Sequence, residues 1–413
     1  MILGCAIKLP IAFTQCKPPT NPFQESKMII TNVNMVLADQ VLSGSLEVRD
    51  GVIRALSDQP SQLPTAIDGQ GAYLLPGLVE LHTDNLEKFF TPRPKVNWPA
   101  ASAMASHDAL MIASGITTVL DAVAVGYIND QGARLNNLDR MLSTIVASQQ
   151  AGHNRAEHLL HLRCELPNAD TAAMFNTLVT KFAPPEQAHN PIAMVSLMDH
   201  TPGQRQFIDS EKYRTYYMGK YGLNEEQMAA FEAEQTQASK LWSDPNRQAI
   251  AAQARARRFT LASHDDATVA HAQESASLGC QVAEFPTTVA AAKASHQAGL
   301  KVMMGAPNII RGGSHSGNVA AATLASEGVL DMLSSDYYPA SMLDAAYQVA
   351  LDPSNHYDLT GAINMVSLTP AQVIGLTDRG EIAEGKRADL VLAAPYQERL
   401  RIRQVWRQGE RVF

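Results

Sequence analysis

The sequence predicts an α/β protein, a (β/α)8 TIM-like barrel carrying a small composite β-sandwich domain built from both chain ends. Three observations carry that expectation. The middle of the chain alternates short β-branched runs with helical stretches, the pattern of βα units and a parallel sheet. Strand candidates fall near 78–84, 116–121, 159–165, 193–199, 259–263, 280–285, 300–305 and 330–336, and eight such units suit a closed barrel. Finally, residues 28–73 and 380–413 read as alternating strands, with turns at Leu42-Ser43-Gly44 and Arg49-Asp50-Gly51.

Composition narrows the function classes. Of 413 residues, 46% are hydrophobic and 18% charged, a globular rather than a disordered balance. Lys and Arg number 33 against 41 Asp and Glu, for a net charge of −8. A general nucleic-acid binder needs a basic face to displace counterions, so no nucleic-acid partner is expected. No apolar run reaches the length of a membrane span, so no membrane partner is expected either. Cys5, Cys16, Cys164 and Cys280 have neither disulfide-framework nor metal-type spacing, which suits a reducing, cytoplasmic setting. Cys164 and Cys280 read as small buried apolar residues.

Residues 1–27 carry no basic segment followed by a sustained apolar one, so they make a poor secretory signal. The strand-turn-strand text starts at Met28. The expected organisation is therefore an N-terminal extension at 1–27 (an accessory tail or an extended gene start), a composite domain from 28–73 and 380–413, and a barrel over 74–379. An insertion is expected around 205–255, because His200 and the strand at Thr260 lie too far apart for an ordinary loop and helix. On a barrel, such an insertion reaches over the active site.

The chemistry sits at strand ends. The run 76–84 ends in His82-Thr83-Asp84, and side chains two apart on a strand share a face. At the C-terminal mouth of a barrel that face looks into the active site. A single His-x-Asp pair is commonly structural, but the signal recurs. Further strand candidates end in Glu165, in Asp199-His200, in His264-Asp265-Asp266 and in Asp336. The expected metal ligands are His82, Asp84, Glu165, His200 and His264, with Asp336 as the catalytic base. Imidazole and carboxylate suit Zn2+, with Mn2+ or Fe2+ as alternatives, and leave coordination positions open for water. Such an ion lowers the pKa of bound water toward ~7. One ion suffices, and two fit if Glu165 bridges.

Three cationic groups lie on the same side. After the seventh strand, Arg311, Gly312, Gly313, Ser314 and His315 form a Gly-rich loop whose N–H groups can converge on oxygens. Lys88, Arg93 and Lys95 follow the first strand. Arg205 and then Lys212, Tyr213, Arg214, Tyr216, Tyr217, Lys220 and Tyr221 follow the fourth. Each group alone reads as solvated surface, and the tyrosines as a packed helix face. Together, in an acidic protein, they favour an anionic small-molecule substrate, bound by Lys88, Arg93, Lys95, Arg205 and residues 311–315. His107-Asp108 is expected at a helix start capped by Ser106, in a packing role. His271 is expected on the helix after the fifth strand, supporting the site at most. Glu284, at the end of the sixth strand, is left outside the predicted site.

Two stretches, PGLVELHTD at 76–84 and GKRADLVL at 385–392, resemble the amidohydrolase superfamily. That resemblance implies a metal site in the barrel and a composite sandwich. A finer set is similar to the branch of the superfamily that hydrolyses a ribose 5-triphosphate to the 5-phosphate and pyrophosphate in the carbon–phosphorus lyase pathway of phosphonate utilisation. It comprises ELHTDNLEK at 80–88, TPRP at 91–94, MDHTPGQ at 198–204, SHDDAT at 263–268 and GGSHSGN at 312–318, and the similarity runs over 28–413. The implied partner is a small ribose triphosphate, and a homo-oligomer is compatible. The superfamily's usual His-x-His reads His82-x-Asp84 here, which hardens the site toward oxygen ligation. Its later histidines fall on the fourth and fifth strands by count, not the fifth and sixth. The alternatives are a cyclic-amide hydrolase or deaminase on the same barrel, and a catalytically silent scaffold of the phosphonate pathway.

Overall fold

The computed structural model describes residues 27–93, 96–126, 133–185, 190–207, 210–314 and 317–413. The expected N-terminal extension lies outside the described residues apart from Lys27, which opens the first strand. The composite domain uses β1 (Lys27–Val36), β2 (Val41–Arg49), β3 (Val52–Ser57), β4 (Ile67–Asp68) and β5 (Tyr73–Pro76). The barrel follows with β6 (Leu78–Thr83), β7 (Ile116–Val125), β8 (Glu157–Glu165) and β9 (Ile192–Met198). It continues with β10 (Thr260–His264), β11 (Val282–Glu284), β12 (Lys301–Gly305) and β13 (Met332–Ser334). The chain then returns to the first sheet with β14 (Leu390–Tyr396), β15 (Arg399–Arg407) and β16 (Glu410–Arg411).

All eight predicted barrel strands form and pair in parallel in chain order. A Thr83–Asp336 bridge brings the first strand to the chain just past the last. Backbone bonds from Val79 to Val366 and from Leu333 to Met365 fill the seam. The wall is buried on both faces, which explains the near-continuous apolar strands. Val79, Leu81, Leu120, Met194, Ala262, Val282, Met303 and Met332 plug the lumen. Each large one of these contributes roughly 2 kcal/mol by leaving water. On β8, alternation sends Leu160, Leu162 and Cys164 outward to the helices. It sends Arg163 and Glu165 to the barrel mouth.

The composite domain is one continuous sheet in the order β16-β15-β14-β5-β1-β2-β3, with β4 added beside β1. Antiparallel pairing of β14 with β5 joins the two chain ends. The sheet also curls back on itself, since Ile53 of β3 exchanges backbone bonds with Gly385 and Lys386. Inside the curl lie Ile30, Met35, Leu46, Ile53, Leu74 and Trp406. Gly77 links this sheet to β6, and a Cβ there would meet Thr117 Oγ1 at 2.2 Å. Below the barrel, Glu157 at the start of β8 accepts Arg379 at 3.0 Å and Arg387 at 2.7 Å, tying sheet to barrel.

Between His200 and β10 the chain forms the helices Ser210–Tyr221 and Glu225–Arg257. A capping box of Asn224 and Gln227 starts the longer one. Phe207, Tyr213, Tyr217, Met228 and Phe231 make a private core that holds the shorter helix against the longer. Among the described residues no helix is long and apolar enough to cross a membrane.

Outside the barrel wall the structure corrects one expectation. His107 and Asp108 lie in the middle of helix Ala100–Ala113, whose N-cap is Pro99, so Ser106 caps nothing. The packing role stands. His107 Nε2–H donates to Asp121 Oδ1 at 2.6 Å and His158 Nδ1–H to Oδ2 at 2.8 Å. Asp108 accepts the Arg155 and Ala156 amides at 2.9 Å each and lies 3.4 Å from His158 Nε2. Burial by itself lowers the His158 pKa, but the Asp121 and Asp108 carboxylates outweigh it and raise it to about 9. A pKa raised on folding stabilises the fold below the unfolded value near 6.5, and that contribution fades as pH climbs through about 9. Thermal unfolding at pH 6.5, 8 and 9 should show wild type losing stability across this window. Asp121→Asn, which breaks a buried pair, should cost about 3 kcal/mol at pH 6.5 and flatten the dependence. Identical profiles for the two proteins would remove this network from the stability of the fold.

Candidate active site

The C-terminal ends of the barrel strands open into a cavity of about 720 Å3. Strand geometry explains what gathers there. His82 on β6 and Asp84 two residues on face the same way, as do Arg163 and Glu165 on β8. His200 follows β9, His264 ends β10 with Asp265 next, and Asp336 follows β13. The six residues predicted as ligands and base thus all line one cavity. Asp265, Phe285 and Asp336 sit just past their strands at φ 56°, 55° and 53°. The left-handed region is costly for residues other than glycine, so the surrounding packing must hold these turns.

At the floor lies a carboxylate left outside the predicted site. Glu284, fully buried, accepts His82 Nδ1–H at Oε1 and His264 Nδ1–H at Oε2, both at 2.6 Å. The Ser196 hydroxyl reaches Glu284 Oε2 at 2.8 Å and His161 Nε2 at 2.5 Å. Burial opposes charge on Glu284, yet the neighbouring His82 and the hydrogen bonds from His264 and His82 hold its pKa well below the ordinary value. For His161 burial dominates and lowers the pKa to about 3, so the ring is neutral. With Nδ1 of His82 and His264 committed to Glu284, their Nε2 atoms are the ones left for a ligand.

Glu165 accepts from His200 Nδ1 at 2.9 Å, and Asp265 Oδ2 lies 3.7 Å from His200 Nε2 and 3.4 Å from His264 Nε2. Asp84 approaches Arg163 at 3.8 Å, while its buried Oδ1 has no hydrogen-bond partner among the described residues. Glu80 accepts the amides of His82 at 2.6 Å and Ser335 at 2.5 Å, clamping the first strand to the end of the last. Burial raises the Glu80 pKa to about 7.

These residues suit a divalent cation. His200, His264 and Asp265 bring donor atoms within 4.8 Å of one another, and a second such group is His82, His161 and Glu284. The floor gathers Asp84, Glu165, Asp265 and Asp336 around the guanidinium of Arg163, a concentration of carboxylates that a dication would neutralise. The orphaned oxygen of Asp84 points the same way.

The expected substrate contacts divide. Arg311, Gly313 and Ser314 line the cavity, and Gly312 makes the turn between them at φ 73°. Lys95 and His315 lie outside the described residues. Lys88 donates to the Tyr337 carbonyl at 2.8 Å and to Asn85 at 3.2 Å, and neither it nor exposed Arg93 lines the cavity. Arg205 is a correction: it is buried, paired with Asp266 and with Glu274 at 3.2 Å, so neighbouring carboxylates already occupy it. Lys212, Tyr216, Tyr217 and Lys220 of the insertion do face the cavity. His271 lies on helix Val269–Ser277 and accepts the Ala267 amide, away from the floor. Sequence reasoning passed over Glu284, although it ends β11 with the same signal as the other strand ends. It also passed over Arg163, which shares the face of Glu165.

Fold and site together define a hydrolase-type barrel with a metal-ready floor, and the chain belongs to the amidohydrolase family, whose profile matches residues 155–413. That family implies a divalent metal. Over 386 residues, 94% of this chain and 100% of the relative, the chain is 60% identical to the alpha-D-ribose 1-methylphosphonate 5-triphosphate diphosphatase of Escherichia coli (strain K12). In fold it is similar to N-acetyl-D-glucosamine-6-phosphate deacetylase from Mycobacterium smegmatis, with a TM-score of 0.61 at 16% identity over 94% of this chain and 100% of that one. The 5-methylcytosine deaminase of Klebsiella pneumoniae matches with a TM-score of 0.60 at 14% identity, over 94% and 97% of the two chains.

Glu284→Gln tests the support of the two histidines. Metal affinity, measured by competition with a chelator, should fall ~10–100-fold while the protein stays folded. An unchanged affinity would separate Glu284 from metal binding.

Proposed function

We propose that the protein hydrolyses alpha-D-ribose 1-methylphosphonate 5-triphosphate to the 5-phosphate and pyrophosphate, as a cytoplasmic step of phosphonate breakdown. The observation that carries this reading is a carboxylate–imidazole floor beneath a rim of cations, in a chain 60% identical to a relative of that name. His82, Asp84, Glu165, His200 and His264 would hold the metal, and Asp265 is close enough to join them. Imidazole with carboxylate favours Zn2+, which supplies positive charge to a phosphoryl oxygen and makes water a better acid.

The chain's own groups do the rest. Asp336, in the cavity beside the floor, takes one proton from the attacking water. The water oxygen bonds to the α phosphorus, and the bond from that phosphorus to the bridging oxygen breaks. The bridging oxygen keeps the electron pair and leaves within pyrophosphate. The water's second proton ionises from the new phosphate to solvent. Arg163 stands at the floor where charge develops on the phosphoryl oxygens, and such a fixed, pre-positioned charge favours the transition state. Glu284 and Glu80 hold the histidines and the turn into Asp336 before substrate arrives. A deaminase or cyclic-amide hydrolase would have no use for the cationic rim, and a silent scaffold no use for a complete donor set.

Two measurements test this. The purified protein should contain divalent metal, and it should release pyrophosphate from the ribose triphosphate in a reaction that a chelator stops. A metal-replete protein that releases none would sink the reading. Asp336→Asn should lower kcat by ~10^2- to 10^4-fold with metal content unchanged, and full activity would remove Asp336 from its role.

A further inference from the structure

The basic residues of the insertion fall into two kinds. Arg205 is paired with Asp266 and Glu274, and Arg214 with Glu232 at 2.7 Å and with Glu225. Arg205 thus ties the start of the insertion to the chain after β10, and Arg214 ties its two helices to each other. Lys212 and Lys220 differ: among the described residues neither ammonium has a carboxylate partner, and both line the cavity. Lys212, Tyr216 and Lys220 stand four residues apart on helix Ser210–Tyr221, which places them on one face. Lys220 Nζ lies 5.3, 5.6 and 5.4 Å from the ring centroids of Tyr216, Tyr217 and Tyr221. The rings fix the ammonium without neutralising it. Lys212 stands at the seam with the loop after β12, where a Cβ on Gly317 would come within 3.4 Å of its Nζ. Arg311 of that loop also lines the cavity and makes no ion pair among the described residues.

The rest of the cavity is unlike this wall. The floor is carboxylate-rich, and Phe285, Pro286, Met304 and Pro307 supply an apolar side. A substrate reacting at the floor through its α phosphorus extends in two directions, a compact pyrophosphate arm and a ribose arm of lower charge density. Charge complementarity assigns the pyrophosphate arm to the unpaired cations. We infer that Lys212 and Lys220 of the insertion helix, with Arg311 facing them, form the seat of the departing pyrophosphate and so set the direction in which substrate lies. This rests on the triphosphate reading above. It makes the insertion a leaving-group clamp, since negative charge grows on the bridging oxygen as the bond breaks.

Pyrophosphate itself is the probe. Titration calorimetry on the metal-loaded protein should give an affinity that Lys212→Gln/Lys220→Gln weakens on the order of 10- to 100-fold, with metal content unchanged. Arg311→Ala, outside the insertion, should weaken it in the same direction and guards against a variant that misfolds. Raising sodium chloride should lower the wild-type affinity more steeply than that of the double variant. Wild-type affinity in both variants, or no measurable binding to the wild type, would overturn the assignment. A wild type that binds pyrophosphate through these lysines but releases none from the ribose triphosphate would support the anion seat and overturn the proposed reaction.

Discussion

The site depends on one buried carboxylate. Glu284 sits at the end of β11 and grips the Nδ1 atoms of His82 from β6 and His264 from β10. A carboxylate stripped of water is costly unless fully paired. The two ring donors and the Ser196 hydroxyl provide that pairing. The same bonds leave the two Nε2 atoms, not Nδ1, to meet a ligand. A single interaction thus stabilises the charge, orients two rings from distant strands and prepares the floor to receive a cation.

Around that point the barrel is rigid and its rim more open. Glu80 ties the first strand to the end of the last, and the Thr83–Asp336 bridge closes the wall beside the reacting groups. The apolar plug below supports them from beneath. The insertion is assembled differently: an aromatic core and the Arg214 ion pairs join its two helices, Arg205 ties it to the barrel, and its exposed face carries Lys212 and Lys220, which have no carboxylate partner among the described residues. A stiff floor keeps reacting atoms in register, while a cationic wall can attract a highly charged ligand into an acidic protein. The net charge of −8 and an anionic substrate are compatible because the charges are segregated.

Much of this was legible in the residues. The eight strands were visible because parallel strands buried on both faces read as short apolar runs, and the residues ending them stood out against those runs. His82, Asp84, Glu165, His200, His264 and Asp336 were found in that way, and all line one cavity. Glu284 was visible by the same signal, but nothing local distinguishes a carboxylate that faces a ligand from one that holds histidines. Arg205 failed for a related reason. A sequence shows a cation without the carboxylates across from it, and here Asp266 and Glu274 occupy it. His107 and Asp108 were misplaced at a helix start because Ser106 resembles a cap, whereas the helix already begins after Pro99.

The sequence by itself determined the strand count, the alternation that puts His82 beside Asp84 and Arg163 beside Glu165, and the donor types at each strand end. These follow from local periodicity, which needs no knowledge of the partner strand. Only the tertiary structure decided which donors are already committed and which remain available. Glu284 meets His82 across 202 positions of sequence, and Asp336 meets the first strand only because the barrel closes. Whether Lys212 and Lys220 face a cavity rather than solvent depends on how the insertion packs. Pairing, burial and convergence are properties of distances between remote residues, and closure of the barrel is what sets those distances.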